Sequence, residues 1–253
     1  MDTAQPAATA PDPQNGRLSW FTRISYGLGD TAMNIVAGAM TILTFFYTDY
    51  AGVEPTTVGL VFLISRIFDG VSDLIMGFIV ERTNSKWGKS RPWILWSSIP
   101  FCVSIVLIYT VPQGSDFMKF VYLFITYNFC NTICYTALNL PYGSLSAMMT
   151  RISRERDMLS ITRMALSPIG KIISISATLP LIKVLGDNQA AWIKVMSIWA
   201  VLAFILLMLC FTQCKETVVI EARKKVSKVP IIKSLKCLFG NKYFWMAMTI
   251  SMM

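Results

Sequence analysis

Apolar runs long enough to cross a lipid bilayer dominate this sequence. A membrane-spanning helix needs about 20 predominantly apolar residues, and roughly six runs of that length follow one another along the chain. Only 15% of the residues are charged, whereas a soluble domain carries about a quarter. The sequence therefore predicts an all-α polytopic membrane protein. The six runs lie near residues 24–48, 57–80, 93–112, 119–149, 158–185 and 191–213, and a seventh begins at residue 243.

These runs divide the chain into four predicted parts. Residues 1–19 are polar and lack the basic segment, short apolar core and cleavage site of a signal peptide, so we expect a disordered cytoplasmic tail. We expect residues 20–215 to form a six-helix transmembrane bundle and residues 243–253 to start a seventh, truncated helix. Residues 216–242 are predicted to be a basic cytoplasmic linker, either solvated or lying on anionic lipid as an amphipathic segment.

The net charge of +9 is unevenly distributed between the two sides of the predicted membrane. Seventeen lysines and arginines fall in the tail and in the segments after spans two, four and six, against three in the alternate loops, Lys119, Lys183 and Lys194. Because cytoplasmic loops are enriched in Lys and Arg, this pattern predicts a multi-pass protein of the cell (inner) membrane with a cytoplasmic N-terminus. The basic charge thus indicates topology in a lipid bilayer and not a nucleic-acid partner.

The reactive residue types exclude most catalytic sites. The chain has no histidine, which removes Ser-His and Cys-His catalysis and every histidine metal site. Its six cysteines lack nearby partner ligands and are interpreted as packing thiols. We therefore predict no enzyme activity, no cofactor and no metal beyond a transported sodium ion.

Three ionisable residues interrupt the second apolar run, in the segment SRIFDGVSD. Arg66, Asp69 and Asp73 share one helical face there with Ser65 and Ser72. A charge at the middle of a bilayer costs about 2.5–3.5 kcal/mol, so such residues indicate function. Two carboxylates one turn apart repel unless a cation or proton joins them, which predicts a coupling-ion site. The alternative is a structural ion pair between Arg66 and one aspartate, which leaves the other aspartate unexplained.

Polar stripes also run along three other spans, whereas spans three and six have almost none. The stripes predict that spans one, two, four and five share a wet interior, with spans three and six facing lipid. They include Tyr26, Asp30 and Asn34 in span one; Asn128, Asn131, Thr132, Tyr135, Thr136 and Asn139 in span four; and Arg163 and Lys171 in span five.

Several segments resemble the glycoside–pentoside–hexuronide:cation symporter family. RIFDGVSDLIMGFIVERTNSKWGKSRPW is similar to its second span and following loop, and ISYGLGD, FFYTD, YTALNLPYGSL and RERDMLSITR match in the same order. The resemblance covers about residues 18–215 and implies a major facilitator-type fold, in which two six-helix bundles alternate access to a central site. It implies that this chain is the N-terminal bundle with the start of helix 7, and that a C-terminal bundle is its missing partner.

The resemblance also implies individual site residues. The family's cation site falls on Asp69, Ser72, Asp73, Thr136 and Asn139. Its sugar contacts fall on Asn34, Tyr135, Asn139, Gly143 and Arg163, and we add Tyr26, Asp30 and Lys171 from the polar stripes as candidate substrate residues. The chain departs from the family pattern where aspartates become Asn34 and Asn139, an asparagine becomes Ser72, a lysine becomes Met33 and a tryptophan becomes Gly143.

These departures shape the functional prediction, a cation-coupled sugar or glycoside symporter. The loss of a carboxylate at Asn139 favours a proton over sodium as the coupling ion. Before Asp30 nearer the membrane edge is counted, Arg66, Arg163 and Lys171 exceed Asp69 and Asp73 by one positive charge, which favours an anionic substrate such as a hexuronide, with a neutral glycoside as the alternative. The further alternative is a facilitator-fold carrier of a lipid or drug. The predicted gating and charge-partner residues are Arg66, Arg82, Lys89 and Arg91.

Overall fold

The computed structural model describes residues 17–217 and Gly240. The chain separates into two compact units, Met1–Val218 and Val219–Met253, and the helices below all belong to the first. The predicted basic linker, apart from residues 216, 217 and 240, lies outside the described residues, as do the start of helix 7 and residues 1–16 of the tail. Those three predictions therefore stay predictions.

Six long helical segments make up the described part of the chain, and it contains no β-strand. Because every spanning segment satisfies its own backbone hydrogen bonds as a helix, this architecture confirms the prediction of an all-α polytopic membrane protein. The segments are α1 (Trp20–Thr41, Leu43–Phe45 and the π-helical Phe46–Tyr50), α2 (Pro55–Arg82), α3 (Arg91–Ile108), α4 (Asp116–Asn128, the π-helical Phe129–Tyr135 and Thr136–Met149), α5 (Ser153–Val184) and α6 (Gln189–Gln213).

Local sequence explains where several of these helices start. Proline occupies the first turn of α2 and of α3, where its missing N–H costs no helical hydrogen bond. Two other helices start with side-chain caps, because Ser115 Oγ accepts a hydrogen bond from the Met118 amide and Asn188 Oδ1 accepts one from the Ala191 amide. The capped starts of α4 and α6 follow the short loops that the sequence places between apolar runs.

Four of the six segments are long and apolar enough to cross a membrane by length and composition, within the described residues. They are Trp20–Tyr50, Arg91–Ile108, Ser153–Val184 and Gln189–Gln213. The other two, α2 and α4, carry their charged and amide side chains in the middle of the helix. Membrane-crossing by α2 and α4 therefore stays a prediction, and it depends on the bundle covering those polar groups. The groups are Arg66, Asp69 and Asp73 in α2, and Asn128, Asn131 and Asn139 in α4.

The packing centres on α1, which lies mainly against α5 and α6. Glycines allow this close approach: a Cβ at Gly38 would lie 2.9 Å from the Lys171 carbonyl oxygen, and one at Gly170 would lie 2.7 Å from the Thr31 carbonyl oxygen. The rest of the bundle follows from three further pairings: α3 with α6, α3 with α4, and α2 with α4. One consequence is that α2 meets the rest of the chain chiefly through α4.

A buried ion pair joins the beginnings of α1 and α5. Arg23 Nη2 donates to Glu155 Oε2 at 2.7 Å, and the two side chains are only 9% and 7% exposed. The Leu18 amide donates to the same oxygen at 3.3 Å, and the Arg23 guanidinium stacks over the Trp20 ring. It is the one salt bridge between described residues, and it joins the beginnings of two helices that pack against each other.

One face of α2 has no neighbour among the described residues. Gly59, Gly70 and Gly77 project to within about 20° of one another on a helix that turns 100° per residue, and a Cβ on any of them would meet no atom within 4 Å. Large apolar side chains of α2 and α5, such as Ile67, Val71 and Ile172, are also exposed. The outer surface of the bundle therefore includes α2 and α5 as well as the predicted α3 and α6.

Candidate functional site

A ladder of side-chain hydrogen bonds joins α2 to α4. Each rung pairs a residue of α2 with one exactly 63 positions later, and successive rungs are four residues apart on both helices. Because both numbers increase together, the two helices run in the same direction, as the second and fourth spans of one bundle must. The rungs are Asn128 Nδ2 to Ser65 Oγ (2.9 Å), Thr132 Oγ1 to Asp69 Oδ1 (2.5 Å) and Thr136 Oγ1 to Asp73 Oδ1 (3.0 Å).

Asp69 has a donor on each of its carboxylate oxygens. Thr132 donates to Oδ1, and Asn131 Nδ2 donates to Oδ2 at 3.0 Å. Two donors suit an ionised carboxylate, which can only accept. Both donors belong to the π-helical segment Phe129–Tyr135, and Ser72 Oγ donates to the Thr132 carbonyl oxygen of that segment at 2.5 Å. Short π-helical segments inside α-helices often occur at functional sites.

Asp73 differs from Asp69 in its surroundings. It accepts one hydrogen bond, from Thr136, and it is exposed whereas Asp69 is partly buried. On α2 it lies within about 20° of Arg66, two turns away. Arg66 is exposed and forms no ion pair with either aspartate in the described part of the chain. Its role as their charge partner therefore stays a prediction.

Several candidate substrate residues gather around Tyr135. This side chain lies within electrostatic reach of Asp30, Asp73 and Arg163, which come from three other helices. Tyr26 is buried and stacks on Tyr142, with ring centroids 4.7 Å apart, and Tyr142 Oη donates to the Tyr26 carbonyl oxygen at 2.6 Å. Arg163 is within reach of these two tyrosines as well. The structure thus brings together candidates from α1, α2, α4 and α5.

The remaining candidate substrate residues form fewer side-chain contacts with the described residues. Asn34 Nδ2 donates to the Asp30 carbonyl oxygen at 3.0 Å, which leaves its amide oxygen for another partner. Asn139 is partly buried and Lys171 exposed, and neither forms a side-chain hydrogen bond or ion pair with another described residue. Gly143 is exposed, and a Cβ there would meet nothing within 4 Å, so the space that a tryptophan fills in the family pattern is open.

Two of the concave features on the described part of the bundle differ in chemistry. A cavity of about 200 Å³ touches the site and is lined by Val36, Ala37 and Met40 of α1, Phe101 of α3, and Asn131 and Tyr135 of α4, among others. A larger groove of about 480 Å³ runs between Ile99, Val103 and Leu107 of α3 and Ala200, Val201 and Phe204 of α6. The larger groove is lined almost entirely by apolar side chains, and the hydroxyl of Ser197, which also lines it, donates to the Ile193 carbonyl oxygen. We therefore interpret the larger groove as a lipid-facing surface and the smaller cavity as the candidate site.

Comparison with known proteins identifies the family. The family model described as MFS/sugar transport protein matches residues 25–253. The chain belongs to the MFS/sugar transport family. It is 35% identical over 240 residues to the putative glycoside/cation symporter YagG of Escherichia coli, 35% over 246 residues to the isoprimeverose transporter of Lactiplantibacillus pentosus, and 37% over 204 residues to the inner membrane symporter YicJ of E. coli.

These alignments cover most of this chain and about half of each relative. The three relatives are matched over 94%, 91% and 79% of this chain but over 51%, 51% and 44% of their own length. The chain therefore spans about half the length of the curated relatives that it matches. Membership in the MFS/sugar transport family confirms the predicted resemblance, and the family is one of transport proteins and not of enzymes.

In this family member, a carboxylate holds the loop between α2 and α3. Glu216, just after α6, accepts hydrogen bonds from the backbone amides of Lys89 (2.9 Å), Ser90 (2.7 Å) and Arg91 (2.8 Å). These are amides at the start of α3, where a helix favours negative charge. Gly88 has a φ of +108°, and a Cβ there would overlap the Glu216 carboxylate, so only glycine fits.

The predicted gating residues have different contacts in this arrangement. Arg91 Nη2 donates to the Phe211 carbonyl oxygen at 2.7 Å, and its guanidinium stacks over the Phe211 ring, so this side chain fastens the loop to α6 within the same bundle. Lys89 contributes its backbone amide to Glu216. Arg82 and the Lys89 ammonium form no ion pair with described residues. Their role in contacting a second bundle stays a prediction.

We expect Glu216→Ala to destabilise the loop by about 1–3 kcal/mol, because three partly buried amides lose a charged acceptor. Gly88→Ala should produce a similar loss, through overlap with the carboxylate and through backbone strain at a φ of +108°. Thermal unfolding of the detergent-purified protein measures both effects. If the two losses share one cause, the double variant should cost clearly less than their sum. Full additivity would contradict the contact between Gly88 and Glu216.

Sequence reasoning missed three contributors to this site. Asn131 and Thr132 were recognised as part of the polar stripe of α4, but not as donors to Asp69, because the stripe cannot say which carboxylate faces it. For Glu216, the sequence shows only an acidic residue after α6. The three amides that donate to it are more than 120 positions away in the chain, so the sequence does not indicate these contacts.

Proposed function

We propose that this chain is the N-terminal half of a cation-coupled sugar or glycoside symporter that works by alternating access. The observation that carries the proposal is the pairing of Asp69 and Asp73 with hydroxyl and amide donors of α4, beside the cavity that includes Tyr135. Membership in a sugar-transport family, with relatives named as symporters, supports it.

The coupling ion acts on the two carboxylates of α2. Residues four apart on a helix have Cβ atoms about 5–6 Å apart, so Asp69 and Asp73 repel each other until a cation or proton joins them. Asp73 is the more accessible of the two and receives the ion first, with Ser72, Thr136 and Asn139 as neighbouring polar groups. The amide at Asn139 supplies no negative charge, which favours a proton, with sodium as the alternative ion.

The substrate occupies the cavity side of α4. Asn34, Asn139, Tyr135 and Arg163 offer amide, phenol and guanidinium groups that hydrogen-bond sugar hydroxyls. The cavity of about 200 Å³ is smaller than the roughly 300–1,000 Å³ of complete ligand pockets, because it has walls from this bundle alone. The open faces of α2 and α5, including the three glycines of α2, are where we place the C-terminal helix bundle.

The membrane orientation follows from charge. The uneven distribution of Lys and Arg supports a cytoplasmic N-terminus in the inner membrane of the cell. The loop fastened by Glu216 then lies on the cytoplasmic side. Alternating access rocks the two bundles about the midplane site, and the exposed charges of Arg82 and Lys89 contact the second bundle in one state of the cycle.

The substrate class is set by Arg163 and Lys171. Neither cation is ion-paired among the described residues, and together with Arg66 they exceed the two coupling carboxylates by one positive charge before Asp30, nearer the membrane edge, is counted. An anionic glycoside such as a hexuronide balances that excess. The relatives named for glycosides and for isoprimeverose favour a neutral glycoside as the second candidate.

Uptake into proteoliposomes tests the proposal. The full-length transporter containing this chain should accumulate a labelled glucuronide when a proton or sodium gradient is imposed, and accumulation should collapse when the gradient is dissipated. The matched glucoside, in which a neutral hydroxymethyl group replaces the carboxylate, serves as the control substrate. Preference for the glucoside would reject the anionic substrate while keeping the symporter. Absence of gradient-driven uptake of either sugar, with binding of a lipid or drug instead, would reject the sugar symporter.

A further inference from the structure

Asn131 contacts both the coupling carboxylate and the candidate substrate cavity. Its Nδ2 donates to Asp69 Oδ2 at 3.0 Å, and its side chain lines the cavity together with Tyr135. Among the described residues that line this cavity, it is the one that bonds a coupling carboxylate. An amide carries two N–H donors and an oxygen acceptor on one planar group, and a rotation about the side-chain bonds redirects all of them together.

Thr132 provides a contrast on the same π-helical segment. It also donates to Asp69, at 2.5 Å, but it is buried and does not line the cavity. Its hydroxyl further contacts Asn128 Oδ1 at 3.1 Å. Thr132 therefore contacts the carboxylate but not the cavity, whereas Asn131 contacts both. Comparing variants of these two neighbours therefore distinguishes a residue that only contacts the ion site from one that connects the ion site to the substrate.

We propose that the Asn131 amide is a shared donor that links substrate binding to cation binding. This inference rests on the proposed function and identifies the residue that couples its two sites. In the structure, the amide N–H satisfies Asp69 Oδ2. When a metal cation, or a proton taken from water, binds Asp69 at that oxygen, it displaces the N–H. The released N–H then donates to a hydroxyl oxygen of the sugar in the cavity.

This exchange makes cation binding and sugar binding strengthen each other, as a symporter requires. A sugar that takes the N–H leaves Asp69 Oδ2 without a donor, so the carboxylate binds its cation more strongly. By linkage, a bound cation strengthens sugar binding by the same factor. No large movement is required, since one side chain with two torsion angles reaches both partners. The π-helical backbone holds the Asn131 side chain between Asp69 and the cavity.

Binding measurements on the full-length transporter test the proposal. The probes are the 4-nitrophenyl xyloside, glucoside and glucuronide, measured with sodium against choline and at acidic against alkaline pH. The ratio of sugar affinities with and without the coupling ion defines the coupling factor, which is about 5–150-fold in typical coupled systems. We expect Asn131→Ala and Asn131→Leu to bring it within about twofold of one, and Asn131→Gln, which keeps the amide, to restore part of it.

Thr132→Val is the matched control. It removes the other donor to Asp69, so it should change the cation concentration needed for half-saturation but keep the coupling factor at saturating cation. A wild-type coupling factor in both amide-free variants would overturn the inference and leave the symporter assignment intact. Binding of none of the three probes by the wild type would instead reject the proposed function, and the inference with it. Loss of coupling in Thr132→Val as well would show a general distortion of α4 and also overturn it.

Discussion

Asp69→Asn and Asp73→Asn are each expected to abolish cation-driven accumulation of the substrate. Moving one charge across about 100 mV supplies about 2.3 kcal/mol, which corresponds to roughly 50-fold accumulation. Each single variant keeps one carboxylate but removes the pair that holds the coupling ion, so the internal concentration should rise only to the external one. The measurement is accumulation of labelled substrate by proteoliposomes under an imposed gradient.

Exchange of labelled for unlabelled substrate distinguishes lost coupling from lost binding. Both variants should retain exchange, because the sugar contacts of α1, α4 and α5 remain. Asp157→Asn is the matched control, since it removes an exposed carboxylate near the start of α5 and should accumulate substrate as the wild type does. Full accumulation by an Asp69→Asn, Asp73→Asn double variant would refute the assignment of the coupling site.

Glu155→Leu is expected to cost about 3–5 kcal/mol of unfolding free energy, because it leaves the Arg23 guanidinium buried without a counter-charge. Arg23 is 8% exposed, and its Nε already lacks a hydrogen-bond partner among the described residues. At about 2–4 °C per kcal/mol, the midpoint of thermal unfolding should fall by roughly 6–20 °C. Tryptophan fluorescence of the purified protein during heating follows the transition.

The double variant Arg23→Met, Glu155→Leu serves as the control for this prediction. Replacing both partners by apolar side chains of similar length removes the buried charge, so most of the stability should return. If the double variant is as unstable as Glu155→Leu alone, the loss comes from packing or from the Leu18 contact, and the ion pair is not its cause. Transport assays of the double variant then show whether the pair also serves the cycle.

The positions of most helices were predictable, because runs of apolar residues mark them in the sequence. The apolar run near 24–48 became Trp20–Tyr50, and the run near 191–213 became Gln189–Gln213. The polar stripe of α2 also correctly indicated that Asp69 and Asp73 share a helical region with hydroxyl groups. Such patterns are local, so they can be read from residues three or four apart.

The pairing between helices was not predictable in the same way. Nothing within α4 indicates that Thr132 meets Asp69, since the two are 63 positions apart and their register depends on the packing of three other helices. Reading α4 at 100° per residue also assumed an α-helix throughout, whereas Phe129–Tyr135 is π-helical. The Glu216 contacts were missed for the same reason of distance. The assignment of individual site residues stays a prediction for the experiments above.

The ladder between α2 and α4 constrains how the gene for such a protein can change. Length changes in the loops between the two helices alter the offset between rungs but leave the rungs themselves in register. A single-codon insertion or deletion inside either helix, between its first and last rung, would rotate the remaining donors away from their acceptors. A serine or aspartate at every fourth position of one span, opposite an amide or hydroxyl at every fourth position two spans later, is therefore a readable signature of this helix pair.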